Sequence, residues 1–521
     1  MSFPASAGNG RATAIRRRRL GWLLLPAGVA LLGSVSCGRT EPSFGAPDQE
    51  DAASSGRRNA VAGAPGGGGR AAGGSASGGS GGAASGGRSP VNGGTGTAGS
   101  GGASVDPAGE VRLRGAPLVF APTAGEIGLN VALASGDPAA LRARARRGGS
   151  DWLSLEAPVV RATDVAEWRL SGLDAGTSYE YQIVDARARD APVTLYTGHG
   201  VTQRSPGTRF GFALLSDAHI GSDLSYSNQG DESVLTAVGA ELGASSPDFV
   251  INLGDVLDFH QFGFNDPPPS AAVARLGFLN YREAFGDALG NLGHFGVIGN
   301  WDGENGSFSS EQISRSRSQR LLYLPSPGPT SYPEGGAAQH DYYAFTWGDA
   351  LFVVLNVMSY TTEALLLSTS SGRPEDWTLG NEQLAWLEKT LQSATTKWRF
   401  LFIHHAVGGA AGDEADSIYG RGGGLAAHVG EQAKVHQLML DYGVQVFFYG
   451  HDHVFADMVV DGLHYTTPGN AGAIWTFPGS QTGYTRYWDQ SGWARVDVTP
   501  NDVHVQFIAV GGQLLYDYTL P

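Results

Sequence analysis

Five short stretches, SDAH, LGDVLD, IGNWD, IHHA and YGHDH, place carboxylate, amide and imidazole side chains at the ends of apolar runs. They supply Asp217, His219, Asp255, Asn300, His404 or its neighbour His405, His451 and His453. Carboxylate oxygen, amide oxygen and imidazole nitrogen are the ligands that divalent and trivalent first-row metals take. A single histidine at a strand end is usually structural. Five such ends, each carrying ligand types, point to one metal centre.

The elements that must position these tips can be read from the surrounding pattern. FGFALL, DFVINL, HFGVI, LFVVLNV, WRFLFI and VQVFFY are short apolar runs suited to strands buried on both faces. Between them, SVLTAVGAEL, LGFLNYREAFGDAL, NEQLAWLEKTLQ and AKVHQLMLDYG carry apolar residues at helical spacing. Asn381 is placed to cap the third of these helices, with Leu384 and Leu387 behind it. ARVDVTP, DVHVQFIAV and LLYDYTL close the chain as strands. The pattern predicts an α/β core with an appended antiparallel layer, and sites in such sheets form outside the carboxyl ends of strands.

Upstream of Phe210 the sequence changes character. Val111 to Gly207 alternates apolar and polar residues in EIGLNVALAS, LRARARR and SYEYQIVDA, predicting a small all-β domain of about seven strands. WRLSGLDAGTSYEYQIV resembles the fibronectin type III pattern, with Tyr179 as its corner tyrosine. The arginines 142, 144 and 146 read as a solvated strand face. Residues 38–107 are rich in Gly, Ala and Ser and predict a flexible tether. Residues 1–37 carry a basic block, Arg16 to Arg19, an apolar stretch from Leu20 to Leu32, then small residues up to Cys37, the one cysteine. That is the form of an export signal, and the apolar stretch is short for a span of roughly 20 residues. Cys37 stands where a bacterial lipoprotein would be acylated, which implies anchoring to a membrane facing the periplasm or cell surface; secretion after ordinary cleavage is the other reading. A formal charge of −15 speaks against a nucleic-acid partner.

The five tips resemble the motifs of the calcineurin-like metallophosphoesterase superfamily, which includes the purple acid phosphatases, in order, spacing and strand context from Phe210 to about Ile474. The resemblance implies a four-layer αββα domain over 208–521, with 108–207 similar to the β domain that precedes it in purple acid phosphatases. It also implies two transition metal ions, iron, manganese or zinc. Asp217, His219 and His453 look like ligands of one; Asn300, His404 and His451 look like ligands of the second, with Asp255 bridging. Two cations about 3.5–4 Å apart can clamp a transferring phosphoryl group and acidify bound water towards a pKa of ~7, so that a metal-bound hydroxide attacks a phosphate monoester or diester. SDAH retains a histidine that purple acid phosphatases generally lack, and Asp258 stands where they carry a tyrosine ligand, which argues against a charge-transfer iron site.

Trp301 departs from the family pattern, which has a histidine after the ligand asparagine. Indole can donate a hydrogen bond but delivers no proton at neutral pH, so a general acid typically worth 10²–10⁴ in rate is missing. Three readings follow. In the first, an active hydrolase takes its proton from another group, with His405 the foremost candidate and His260 and His340 behind it, or acts on esters with good leaving groups; an aromatic at the mouth then suits a ring-bearing substrate. In the second, a metal-retaining, weakly active surface protein uses Trp301 as a binding platform. In the third, the indole packs beneath the site and water replaces imidazole. HHAVGG lacks the proline common two residues after the ligand histidine, and the spacing favours His404 over His405. The insertions Gln261 to Ala274 and Asn305 to Gln339 are expected to overhang the site. Arg315, Arg317 and Arg320 either reach a phosphate from there or form an exposed charge run.

Overall fold

The computed structural model of the chain describes residues 109–187, 191–221, 230–258, 270–306, 308–360, 378–404, 431–473 and 486–521. Cys37, the tether, His260 and His405 lie outside them. Among the described residues no helix is long and apolar enough to cross a membrane.

Eight strands come first: β1 (Arg112–Leu113), β2 (Leu118–Phe120), β3 (Glu126–Ser135), β4 (Leu141–Arg147), β5 (Val159–Ala162), β6 (Val165–Ser171), β7 (Ser178–Asp185) and β8 (Val193–Val201). β3 pairs antiparallel with β1, β2 and β6, and β6 with β5. β4, β7 and β8 form a second antiparallel sheet. Period-two alternation sends Leu141, Ala143 and Ala145 inward against Leu129, Val131, Trp168 and Ile183. The outward arginines are partnered: Arg146 pairs with Glu180 at 2.6 Å, and Arg144 and Arg146 lie 4.7 and 4.2 Å from the Trp152 ring. The Tyr179 hydroxyl accepts from the Asp174 N–H at 2.8 Å, tying the strand start back to the preceding turn.

The second part runs β9 (Phe210–Leu215), α1 (Glu232–Ser245), β10 (Phe249–Asn252), α2 (Ala271–Phe285), β11 (Gly293–Gly296), α3 (Ser310–Tyr323), β12 (Tyr343–Trp347), β13 (Ala350–Val354), α4 (Gly380–Ser393), β14 (Trp398–Phe402), α5 (Glu431–Asp441), β15 (Val446–Phe448), β16 (Phe455–Val460), β17 (Leu463–Pro468), β18 (Arg486–Trp488), β19 (Gly492–Val498), β20 (Val503–Ala509) and β21 (Gln513–Leu520). One sheet is ordered β21-β20-β19-β9-β10-β11, the other β12-β13-β14-β15-β17-β16-β18. Their facing sides share an aromatic core in which the Phe352 ring meets Phe212 and Phe249 edge-on at 5.1 and 5.3 Å. On the outer faces, Ala213, Leu215 and Val250 pack under α1 and α2, and Leu351, Val353 and Leu401 under α4 and α5. Each central strand is therefore covered on both sides, which is why its sequence is continuously apolar. The layers are α, β, β, α.

Three features differ from expectation. The sheet does not stop at the anticipated boundary between residues 207 and 208: β2 pairs parallel with β11 through Phe120 and His294, making one 11-stranded sheet. The buried Arg282 of α2 strengthens this join, donating to Asn130 Oδ1 at 2.7 Å, Asn130 O at 2.9 Å and Ala116 O at 3.1 Å. Asn381 does not cap α4, which starts one residue earlier. There Thr378 Oγ1 accepts from Gly380 N at 2.9 Å and Glu431 from Leu379 N at 2.6 Å. Finally, much of the 305–339 insertion is helix α3, started by Ser309, whose side chain accepts from Gln312 N at 3.2 Å.

Candidate metal centre

The carboxyl ends of β9, β10, β11, β14 and β15 converge, because the first three are parallel neighbours in one sheet and the last two in the other. Short backbone bonds clip the tips together. Asp217 N donates to Gly254 O at 3.0 Å, His219 N to Asp255 O at 2.9 Å, and Gly450 N to His404 O at 3.0 Å. Behind the β10 tip, Asn252 Oδ1 accepts from Gly254 N at 3.0 Å while its amide donates to the buried Tyr281 hydroxyl at 2.8 Å.

Two groups of side chains result. In Asp217, His219 and His453 the ligand atoms lie within 4.8 Å of one another, and the same holds for Asp255, His404 and His451. Asp255 stands between the groups, with Oδ2 3.1 Å from His404 Nε2 and 3.6 Å from His219 Nε2. The Asn300 amide joins the second group, 3.0 Å from His404 Nε2 and 3.1 Å from His451 Nδ1. All seven residues named from the sequence are thus brought together. His404 Nδ1 donates to Leu253 O at 2.8 Å, which leaves Nε2 aimed into the cluster.

The cluster's field favours positive charge. Burial works to raise the Asp217 carboxyl, but the imidazoles of His453, His404 and His219 outweigh it and hold it at about 2. Burial works to lower His404, yet the Asp255 and Asp217 carboxylates raise it to about 9. Three imidazoles, two carboxylates and one amide form a buried donor set suited to transition metal cations, and with His451, only partly covered, the set is complete.

Sequence reasoning missed Asp302. Its buried carboxylate accepts from Asp255 N at 3.1 Å, Leu257 N at 3.0 Å and Gly299 N at 2.8 Å, and so locks the β10 and β11 tips in register. Burial, then the charge of Asp255, pushes it up to about 7 against these donors. Its position at the end of a polar tip was visible, but a carboxylate that serves backbone N–H groups has no distinguishing sequence pattern.

Trp301 is 9% exposed. Its ring meets His219 edge-on, with centroids 4.9 Å apart at 84°, and its backbone N–H donates to Asp255 Oδ1 at 2.7 Å. The arginines of the insertion are committed elsewhere. Arg320 and Arg317 pair with the buried Glu304 at 2.6 and 3.0 Å, and Arg315 pairs with Glu311 at 2.6 Å. His340 is engaged by the Ser326 carbonyl at 2.9 Å. Asp258 is buried, its N–H donating to Ile220 O at 3.1 Å.

Residues 210–455 match the family described as calcineurin-like phosphoesterase. The purple acid phosphatase PPD1 isolated from yellow lupin (Lupinus luteus) seeds superposes with a TM-score of 0.56 at 14% identity, covering 78% of this chain and 74% of that one. PhoD superposes with a TM-score of 0.57 at 15% identity, covering 78% and 89%. At these identities the likeness is one of fold. No curated protein matches the chain. The chain thus carries a calcineurin-like phosphoesterase domain, with the converging strand ends inside the matching residues 210–455 and the αββα layers continuing beyond them to β21.

Proposed function

We propose that the chain hydrolyses a phosphate monoester or diester at a dinuclear centre of iron, manganese or zinc held by these seven residues. The observation that carries this reading is the position of Asp255, whose Oδ2 lies within 3.6 Å of an imidazole nitrogen from each group. A carboxylate placed there offsets the repulsion between two neighbouring cations. Such cations, when bound, polarise the phosphoryl group and acidify water.

The protein's own part is placement. Leu253 O sets the His404 tautomer, Trp301 N fixes Asp255, and Asp302 holds both tips. Because residue 301 carries an indole, the site offers no imidazole there to protonate a leaving group. Esters of acidic alcohols, aryl or other ring-bearing esters among them, should therefore react fastest. The edge-on packing of Trp301 against His219 favours a role in the floor of the site over that of an open stacking platform.

Nitrophenol release from mono- and bis-nitrophenyl phosphate with added manganese or zinc tests the proposal, and Asp255→Asn should abolish it. Full metal binding with both esters intact would make the chain a metal-retaining binding protein instead. We further propose, from the 1–37 pattern, an exported lipoprotein acylated at Cys37, its sandwich of fibronectin type III kind as the Tyr179 bond suggests. Release from the membrane fraction by Cys37→Ser checks the anchor.

A further inference from the structure

The peptide between Leu253 and Gly254 is gripped at both edges. On one edge the Leu253 carbonyl accepts from His404 Nδ1 at 2.8 Å; on the other, Gly254 N donates to Asn252 Oδ1 at 3.0 Å. A peptide is planar, so a side chain that fixes its N–H also aims its C=O. Asn252 therefore decides where the acceptor for His404 stands. The fit is close: Gly254 has φ 102°, and a Cβ there would lie 2.9 Å from His404 Nδ1 and 2.7 Å from Gly299 N.

The far side of the Asn252 amide is held from α2 and β11. Its Nδ2 donates to the Tyr281 hydroxyl at 2.8 Å, and that hydroxyl has one hydrogen of its own for His294 Nε2 at 3.4 Å. All three side chains are buried. Burial, then the charge of Arg282, lowers His294 to about 3, so the imidazole is neutral and can accept. Every link then runs in one sense: His404 to Leu253 O, Gly254 N to Asn252, Asn252 to Tyr281, Tyr281 to His294. A buried NH₂ deprived of its acceptor is costly, so loss of the Tyr281 hydroxyl favours an Asn252 amide turned away from Gly254.

We infer that Tyr281 is a positioning residue for the metal centre, acting through Asn252 on the peptide that orients His404. This rests on the two-metal reading proposed above. The site of Asn300, His404 and His451 thus depends on a hydroxyl outside the donor set. That hydroxyl stands at the join with the β-sandwich, where His294 pairs with Phe120 of β2 and Arg282, the next residue of α2, donates to Asn130 and Ala116.

Titration of the metal-free full-length protein with Mn²⁺ by equilibrium dialysis, together with hydrogen exchange at Gly254 N–H, tests this. Tyr281→Phe keeps the ring and removes the hydroxyl. It should weaken binding of one of the two ions by about tenfold, with a smaller change at the other, and speed Gly254 exchange by about the same factor. A purely structural hydroxyl would lower the melting temperature and leave the folded protein's metal affinities and Gly254 exchange at wild-type values, and that result overturns the inference. Asn252→Ala removes the acceptor for Gly254 N. On that background Tyr281→Phe should add no further loss of affinity, because the route through Asn252 is already cut; losses that add overturn the inference. Asn252→Ser restores an oxygen that can accept two residues on without help from Tyr281, and should recover most of the affinity that Asn252→Ala loses. If Tyr281→Phe fails to melt cooperatively, Asn252→Ala carries the test: wild-type affinity for both ions there overturns the inference, since the effect must pass through that amide. These outcomes leave the two-metal reading intact. Failure of the wild-type chain to bind Mn²⁺ removes both.

Discussion

Five of the seven clustered residues have left-handed backbone: Asp217 at φ 56°, His219 at 48°, Asp255 at 49°, His451 at 75° and His453 at 58°. Each costs on the order of 1–3 kcal/mol for a side chain of this kind, and such strain collects where a site needs side chains to leave a strand end sharply. The surrounding glycines allow the close approach. A Cβ on Gly299 would lie 2.1 Å from Asp255 Oδ1 and 2.2 Å from Asp255 N, and one on Gly450 would lie 2.1 Å from Ser216 Oγ. Gly299→Ala should therefore displace Asp255 and lower ester hydrolysis by about 100-fold, with metal content falling alongside while far-UV circular dichroism is unchanged. Wild-type metal content in this variant would show that the tip tolerates the displacement. The identities of the seven residues were legible because ligand types recur at strand ends. Their backbone conformations were not, since an aspartate or histidine carries no sequence mark of positive φ.

Helix α3 shows a limit of pattern reading at the scale of elements. Its buried stripe is Gln312, Ser316, Arg320 and Tyr323, so the apolar periodicity that revealed the other helices is missing. One sign was present, the Ser309-x-x-Gln312 capping pattern. The polar stripe exists because Arg320 and Arg317 meet Glu304, three residues beyond Trp301 in sequence, and Arg320 also donates to His340 O at 3.0 Å and Gln339 O at 3.2 Å. Glu304→Gln leaves two guanidinium groups without their counter-charge and should destabilise the protein by about 3–5 kcal/mol, read from denaturant midpoints. Arg315→Ala breaks the pair with Glu311, which is 80% exposed, and should stay within about 1 kcal/mol of the wild type. If the two variants prove equally mild, the Glu304 pairs do not hold the loop after Trp301.

At the scale of the molecule, the β-sandwich keeps a core of its own but shares one sheet and part of a second core with the phosphoesterase domain. Leu118, Phe120, Ala132 and Val165 of the sandwich pack in the same cluster as Phe278, Tyr281 and Phe285 of α2, and the Tyr181 hydroxyl donates to Gly290 O at 2.8 Å. A chain beginning at Thr208 would expose the β11 edge and leave Arg282 without its Asn130 and Ala116 acceptors. It should lose the cooperative melt of the full chain or aggregate; a soluble product with the full chain's melting temperature would show the two parts to be independent. By itself the amino-acid sequence determined an α/β core, the helices other than α3 and the residue types at five strand ends, because apolar period and strand-end chemistry are local properties; the four-layer arrangement came from the family resemblance. Tertiary structure alone decided that β2 joins β11 and that Arg282 meets Asn130 and Ala116, and it gathered about Asp255 the two groups of side chains that the family resemblance implied. Those relations bring together residues far apart in the chain, and packing and hydrogen bonding across that separation leave no periodic trace in the sequence.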